Sequence, residues 1–165
     1  MSKLQTTYNH SPLGITKIVG NENGIQHISL LDETASTEAG TPQELLAVCL
    51  LEAKQQLQEY FAGNRTTFDL KLAPQGTEFQ QKVWRALLDI PFGSTKSYAA
   101  QSAVVGNTKA IRAVAAANGK NPIAIVIPCH RVIGSDGSLT GYAGGLWRKK
   151  WLLAHENPLK QQSLF

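Results

Sequence analysis

Three short apolar runs open the chain: Leu4–Tyr8, Ile15–Val19 and Ile25–Leu31, all rich in Ile, Val, Leu and Thr. Asn9-His10-Ser11-Pro12 divides the first two, and Gly20-Asn21-Glu22-Asn23-Gly24 divides the second from the third. Runs of this length between turn residues predict strands, and an Asn-Gly step supplies the positive φ of a tight hairpin. The expected arrangement is an antiparallel meander. From Thr41 the period becomes helical. Thr41-Pro42-Gln43-Glu44 offers a capping hydroxyl, a proline for the first turn and a glutamate to complete a capping box. Leu46, Cys49, Ala53, Leu57 and Tyr60 then share one face until Gly63 ends the helix. Phe68–Leu72 reads as a further strand returning to the sheet.

Pro74-Gln75-Gly76 marks a boundary, dividing a sheet-and-helix domain at 1–74 from a second domain at 75–165. Beyond it Thr77-Glu78-Phe79-Gln80 repeats the capping-box pattern. Phe79, Val83, Leu87 and Ile90 form a helical stripe that must stop before Pro91. Ser97 caps a second helix that Gly106 ends, and a third is expected from about Thr108 to Asn118. Two short helices around a Gly-containing turn outline a helix-turn-helix. The third helix is lined with alanine at 110, 113, 115, 116 and 117, with Arg112 among them. Small side chains permit close approach, either to a neighbouring helix or to a nucleic-acid groove.

Composition adds a charge asymmetry. The chain has 165 residues and a net charge of +4, but residues 1–75 carry −3 and residues 76–165 carry +7. A basic half suits a polyanionic partner, and equally a solvated surface. No apolar run reaches the ~20 residues of a membrane span, and MSKLQTTYNH lacks a signal-peptide core, so a cytoplasmic protein is expected. Cys49 and Cys129 are read as free thiols of a reducing compartment. Cys49 sits on an apolar stripe and is expected to be an inert core thiol.

Cys129 has different company. Asn121-Pro122-Ile123-Ala124-Ile125-Val126-Ile127-Pro128 predicts a buried extended strand that delivers Cys129 at a fixed turn, with His130 and Arg131 immediately after it. Nearby cations are expected to lower the thiol pKa from about 8.5 and so favour the nucleophilic thiolate. Successive side chains of an extended chain point to opposite faces, so a Cys129–His130 dyad needs a bend or a bridging water. A histidine base also needs an orienting group, for which Glu156 is the candidate. The four histidines form no ligand-spaced cluster, and no phosphate-cradling loop is present, so neither a metal nor a cofactor is expected.

These residues resemble the O6-alkylguanine-DNA alkyltransferases, also called methylated-DNA–protein-cysteine methyltransferases. Pro128-Cys129-His130-Arg131-Val132 is similar to that family's active-site signature. Gly76-Thr77-Glu78-Phe79-Gln80, Ile90-Pro91-Phe92-Gly93, Ser97-Tyr98, Arg112-Ala113-Val114, Asn121-Pro122, Gly141 to Gly145 and Lys149 to Glu156 continue it in order. The likeness is dense over 76–157 and only an outline before that, and the whole looks most like the bacterial constitutive form. It implies an α+β fold: an N-terminal ribonuclease-H-like antiparallel sheet with helices, then a mostly helical domain with a winged-helix-like helix-turn-helix.

The resemblance also implies roles. Cys129 would accept the alkyl group irreversibly, from O6-alkylguanine and also O4-alkylthymine, after the base is flipped from the duplex. His130 would take the thiol proton through a water and be oriented by Glu156. Asn121 would hold the hinge before the active-site segment. Arg112 would enter the minor groove and fill the gap left by the base, and Tyr98 would turn the 3′ phosphate and bond the base. Tyr142, Ala143 and Gly144 would line the base pocket, and Asn107 and Ser135 would touch the DNA backbone. Some relatives carry serine at the position of Ala143; here only a backbone N–H remains for that contact. Some relatives also hold a structural zinc, but the N-terminal half offers only Cys49, His10 and His27, so none is expected. The implied partner is lesion-bearing double-stranded DNA met by a monomer, with cooperative binding left open. Two rival readings stand beside this one: a cysteine hydrolase using Cys129 and His130, and a lesion binder without transfer chemistry.

Overall fold

The computed structural model describes residues 3–157. They form two compact units: residues 3–75 with 122–124, and residues 76–121 with 125–157.

In the first unit, β1 (Gln5–Ser11), β2 (Gly14–Asn21) and β3 (Gly24–Leu31) form the expected antiparallel meander. Thr7 faces Ile18 across the first pair, and Ile18 faces Ile28 across the second. Helix α1 (Val48–Phe61) buries Cys49, Leu50, Ala53, Leu57 and Tyr60 in a core that also holds Ile15, Ile18, Ile25 and Ile28. Cys49 Sγ donates to the Asn21 carbonyl at 2.9 Å, and burial raises its pKa. It is a packed core thiol.

Two local expectations fail here. The helix does not begin at Thr41: Gln43–Leu45 form a separate 3-10 turn, and α1 starts only at Val48. The Thr41 hydroxyl instead accepts from the Thr6 backbone N–H at 3.1 Å, so the capping group is spent on β1. Phe68–Leu72 is not a strand but touches the sheet at one parallel bridge, Leu72 to Ile25.

The second unit contains α2 (Glu78–Leu87), β4 (Lys96–Ser97), α3 (Tyr98–Val105), α4 (Ile111–Gly119), β5 (Val132–Ile133) and α5 (Leu146–Glu156). Thr77 closes a complete capping box with Gln80 at the start of α2. Val83, Trp84 and Leu87 are buried, and Trp84 Nε1 donates to the Ala117 carbonyl of α4 at 2.9 Å. Phe79, expected on the buried stripe, is 37% exposed. Ser97 caps α3 through the Ala100 N–H, and Gly106 ends it in the left-handed region at φ 96°, where a side chain would be strained. The following helix starts at Ile111 rather than Thr108, because Asn107 Oδ1 accepts from the Lys109 N–H and holds a turn there. Between α3 and α4, Gln101 and Asn118 exchange two side-chain hydrogen bonds of 2.8 Å, both amides being buried. Short parallel pairing of β4 with β5 closes the unit.

The largest departure from expectation is the segment before Cys129. Ile123 makes a single bridge to Ile28, and the chain then turns instead of running on as a strand. Ile125 adopts φ 73°, a conformation that costs a β-branched residue about 1–3 kcal/mol. Pro128, at φ −84° and ψ 63°, lies close to an inverse γ-turn, with the Cys129 N–H donating to the Ile127 carbonyl at 2.8 Å. Cys129–Arg131 continue as a 3-10 turn. Two prolines and five apolar residues promised extension; the backbone instead spends them on two sharp bends.

Candidate active site

Cys129 is delivered by that turn. Its sulfur lies against the Asn121 side chain, whose Nδ2 is 3.2 Å from Sγ and 2.7 Å from the Ile127 carbonyl. One asparagine therefore ties the end of the α4 segment to both the turn and the sulfur. Cys129 lines a cleft of about 420 Å³ together with Tyr98, Arg112, Asn118, Tyr142 and Ala143. A cleft of this size and largely apolar wall is typical of a small-molecule or base site.

The 3-10 turn separates Cys129 from His130 without placing them on opposite faces of a strand. The sulfur meets the cleft, and the imidazole is fully buried. His130 Nε2 pairs with Glu156 Oε2 at 2.8 Å, and Glu156 also accepts from Arg131 Nε at 2.7 Å and Nη2 at 3.1 Å. Arg131 Nη1 donates to the Ile90 carbonyl at 2.6 Å. Burial pushes the Glu156 pKa up, but the hydrogen bonds and charges of His130 and Arg131 outweigh it and bring it down to about 2. Burial lowers the pKa of His130 despite Glu156, with Arg131 and Lys149 acting in the same direction as burial. At neutral pH the pair is therefore a carboxylate accepting from a neutral imidazole. That fixes the proton on Nε2 and leaves Nδ1, which has no partner among the described residues, as the basic atom.

One electrostatic expectation is corrected. The neighbouring cations do not lower the thiol pKa overall: burial raises it, outweighing the Asn121 hydrogen bond and the Lys149 charge, which lower it. Arg131 points to Glu156 and not to the sulfur. The resting group is a thiol that needs a base.

Two family models match the chain. "6-O-methylguanine DNA methyltransferase, DNA binding domain" matches residues 78–158, and the ribonuclease-like domain of the same name matches residues 4–74. The chain belongs to the 6-O-methylguanine DNA methyltransferase family. A methylated-DNA–protein-cysteine methyltransferase of Methanosarcina barkeri is 48% identical over 151 residues, covering 91% of this chain and 96% of the relative. The constitutive form from Bacillus subtilis is 62% identical over 95 residues, 58% of each chain. Among solved structures, the Mycobacterium tuberculosis OGT in complex with DNA is similar with a TM-score of 0.81 and 44% identity, covering 93% of this chain and 92% of that one.

Of the residues singled out from the sequence of this methyltransferase family member, Cys129, Tyr98, Arg112, Tyr142 and Ala143 share the cleft. Asn121 touches the sulfur, and His130 and Glu156 form the buried pair. Gly144 sits beside the cleft; a Cβ there would come within 3.0 Å of the Tyr142 ring, and its carbonyl accepts from Arg148 Nη1 at 2.8 Å. Asn107 and Ser135 are exposed in turns and do not line the cleft. From sequence, Arg131 has only the part of a cation beside the thiol, not that of the Glu156 partner it proves to be, and Lys149 has no part. Lys149 is fully buried and pairs with no carboxylate among the described residues; its Nζ donates to the carbonyls of Thr140 at 3.1 Å and Gly141 at 3.3 Å, and lies 3.5 Å from Tyr98 Oη. Both residues lie inside motifs visible in the sequence, but the Ile90 carbonyl is 41 positions from Arg131 and the Tyr98 hydroxyl 51 positions from Lys149, so the motifs do not reveal these partners. Among the described residues no three His, Cys, Asp or Glu side chains gather as metal ligands, and no helix is long and apolar enough to cross a membrane.

Proposed function

We propose that this protein repairs DNA by moving the alkyl group of O6-alkylguanine onto Cys129 Sγ, the activity for which its methylated-DNA–protein-cysteine methyltransferase relatives are named. The observation that carries the reading is the placement of Cys129 in a base-sized cleft, next in the chain to a buried His130 that is paired with Glu156 and whose Nδ1 has no partner among the described residues. His130 Nδ1 takes the thiol proton, directly or through one water, and Glu156 holds the imidazolium that results. The sulfur then attacks the alkyl carbon in line. The S–C bond forms as the C–O6 bond breaks, the electron pair remains on O6, and guanine regains a proton. The Ala143 backbone N–H is offered to the base.

A target inside a duplex must leave the stack, which costs a few kcal/mol. Arg112, exposed on α4 at the cleft, is suited to occupy the space left behind. Tyr98 is suited to turn the neighbouring phosphate, and Asn107 and Ser135 to meet the DNA backbone. The basic second half suits phosphate contacts that carry no sequence information. O4-alkylthymine presents a similar leaving oxygen and is included as a second substrate. The product is a thioether with no group placed to cleave it, so each molecule acts once, as a cytoplasmic monomer. In this reading the first unit belongs with ribonuclease-H-like sheets, and α3–α4 with the β4–β5 pair is a winged-helix-like reader.

The test uses a duplex bearing O6-methylguanine and the mass of the tryptic peptide holding Cys129. One methyl per protein, with no further turnover, is the expected result. Continued turnover supports a hydrolase instead, and tight binding without a mass change supports a non-transferring binder. Cys129→Ala is expected to abolish transfer while DNA binding persists; equal loss of both would make Cys129 structural.

A further inference from the structure

Gly119 closes α4, and nothing inside the protein asks for a glycine there. Of the chain's 14 glycines, eight adopt positive φ. At five more, a Cβ would come within 3.1 Å of another atom. Gly119 falls in neither group. Its φ is outside the left-handed region, and beyond its own helix backbone and chain neighbours no atom of the described residues lies within 4 Å of where a Cβ would stand. Glycine in a helix is destabilising relative to alanine, so its presence here is a cost that no internal packing or turn repays.

The open space belongs to the cleft. Ile111, Arg112, Ala115, Asn118 and Gly119 recur at the spacing of one helix face, and all of them line it. That face spans about 12 Å at 1.5 Å per residue. It is bulky at Ile111 and Arg112 and bare at its other end. Asn118 is buried and Gly119 is exposed, so the wall passes from interior to rim between them. A base seated towards Cys129 leaves its sugar and phosphate at the rim. The charge there agrees: residues 107–121 contain Lys109, Arg112 and Lys120 and no Asp or Glu, and Lys120 is exposed next to Gly119. We infer that Gly119 is bare so that the sugar–phosphate backbone of the lesion strand passes over α4 in van der Waals contact while the base occupies the cleft. This rests on alkylated DNA being the substrate and Cys129 the acceptor. It makes Gly119 a residue that favours a lesion carried on DNA, with the chemistry at the sulfur unchanged.

The experiment presents one lesion on two carriers. Wild type, Gly119→Ala and Gly119→Val are each reacted with excess duplex bearing O6-methylguanine and, separately, with excess free O6-methylguanine base. The Cys129 adduct is followed by peptide mass. Gly119→Val is expected to slow transfer from the duplex about tenfold, the order of forcing a branched side chain into a filled space, while its free-base rate stays within about twofold of wild type. Gly119→Ala is expected to show the same change in smaller measure, with a urea midpoint at or above that of wild type because alanine is the better helix former. Slower repair of duplex by a protein that is no less stable is what a purely structural glycine would not give. An unchanged duplex rate in Gly119→Val overturns the inference. So does an equal fall with both substrates, which would put the base or its alkyl group in that space. Should Gly119→Val fail to fold, the duplex-to-base ratio of Gly119→Ala decides. A wild type that forms no Cys129 adduct with either substrate overturns the acceptor assignment instead, and so separates the two failures.

Discussion

Replacing Arg131 by methionine removes a cation from beside a carboxylate that is only 2% exposed. The Glu156 pKa lies at about 2 against an ordinary 4.5, and at roughly 1.36 kcal/mol per pH unit that gap corresponds to about 3 kcal/mol of stability at neutral pH. The figure includes what His130 supplies as well as Arg131. It agrees with the 3–5 kcal/mol typical of breaking a buried ion pair from one side. We expect Arg131→Met and Glu156→Gln each to cost about 3 kcal/mol, since each strands the other's charge. The double variant leaves neither of these two charges stranded, and the amide introduced at 156 still accepts from His130 Nε2. Its loss should fall short of the sum of the singles by about 2 kcal/mol. The pH dependence has a definite sign. A depressed carboxylate pKa gives stability that is fully present above about pH 4.5 and is lost as pH falls towards 2. Wild type should therefore lose stability across that window more steeply than Glu156→Gln. Urea unfolding followed by tryptophan fluorescence at pH 7 and pH 3 measures all of this, with buried Trp84 as reporter. Additive losses, or the same acid dependence in both proteins, would refute the reasoning.

The Gln101–Asn118 clasp gives a second test: Gln101→Ala should cost about 1–3 kcal/mol by leaving the Asn118 amide unsatisfied, whereas apolar residues of similar size at both positions should cost less than that. Denaturant midpoints distinguish the two outcomes. Arg112→Ala, at an exposed position, should leave the unfolding midpoint within about 0.5 kcal/mol of wild type yet slow repair of a duplex lesion more than reaction with free O6-alkylguanine base. Equal slowing in both assays removes its role in flipping. Thr77→Ala breaks the capping box of α2 and should lower stability by about 1 kcal/mol, read as a shift of the urea midpoint.

The parts of the fold that could be read from sequence are those fixed by local chemistry. The Thr77 and Ser97 caps, the Gly106 stop and the order of the three-strand meander each depend on residues a few positions apart and are as the pattern predicts, although β1 runs on through Asn9, His10 and Ser11, which read as turn residues. The failures share a different cause. Thr41 has the chemistry of a cap, but β1 supplies a competing donor in Thr6. Ile123–Ile127 has the composition of a strand, yet only Ile123 finds a pairing partner, and Pro128 bends what remains. In the site, the Cys-His adjacency was legible and its geometry was not, because a strand and a 3-10 turn place consecutive side chains differently. The sulfur's raised pKa was missed for a related reason. A string of letters displays His130 and Arg131 as neighbours of Cys129, but burial and the direction of each side chain decide what the thiol feels.

Residues 122–124 carry a practical consequence. They lie between the two halves of the catalytic unit's chain, yet they are built into the other unit, where Ile28 bonds the backbone on both sides of Ile123. Cutting at Gly76 would therefore not release an intact repair fragment. The piece kept would carry a fully apolar isoleucine with nothing to dock on, two residues after the Asn121 that braces the sulfur and two before the strained Ile125. Gene truncation is thus the wrong tool for isolating this chemistry; splitting the protein and supplying residues 1–75 in trans is the arrangement its wiring permits.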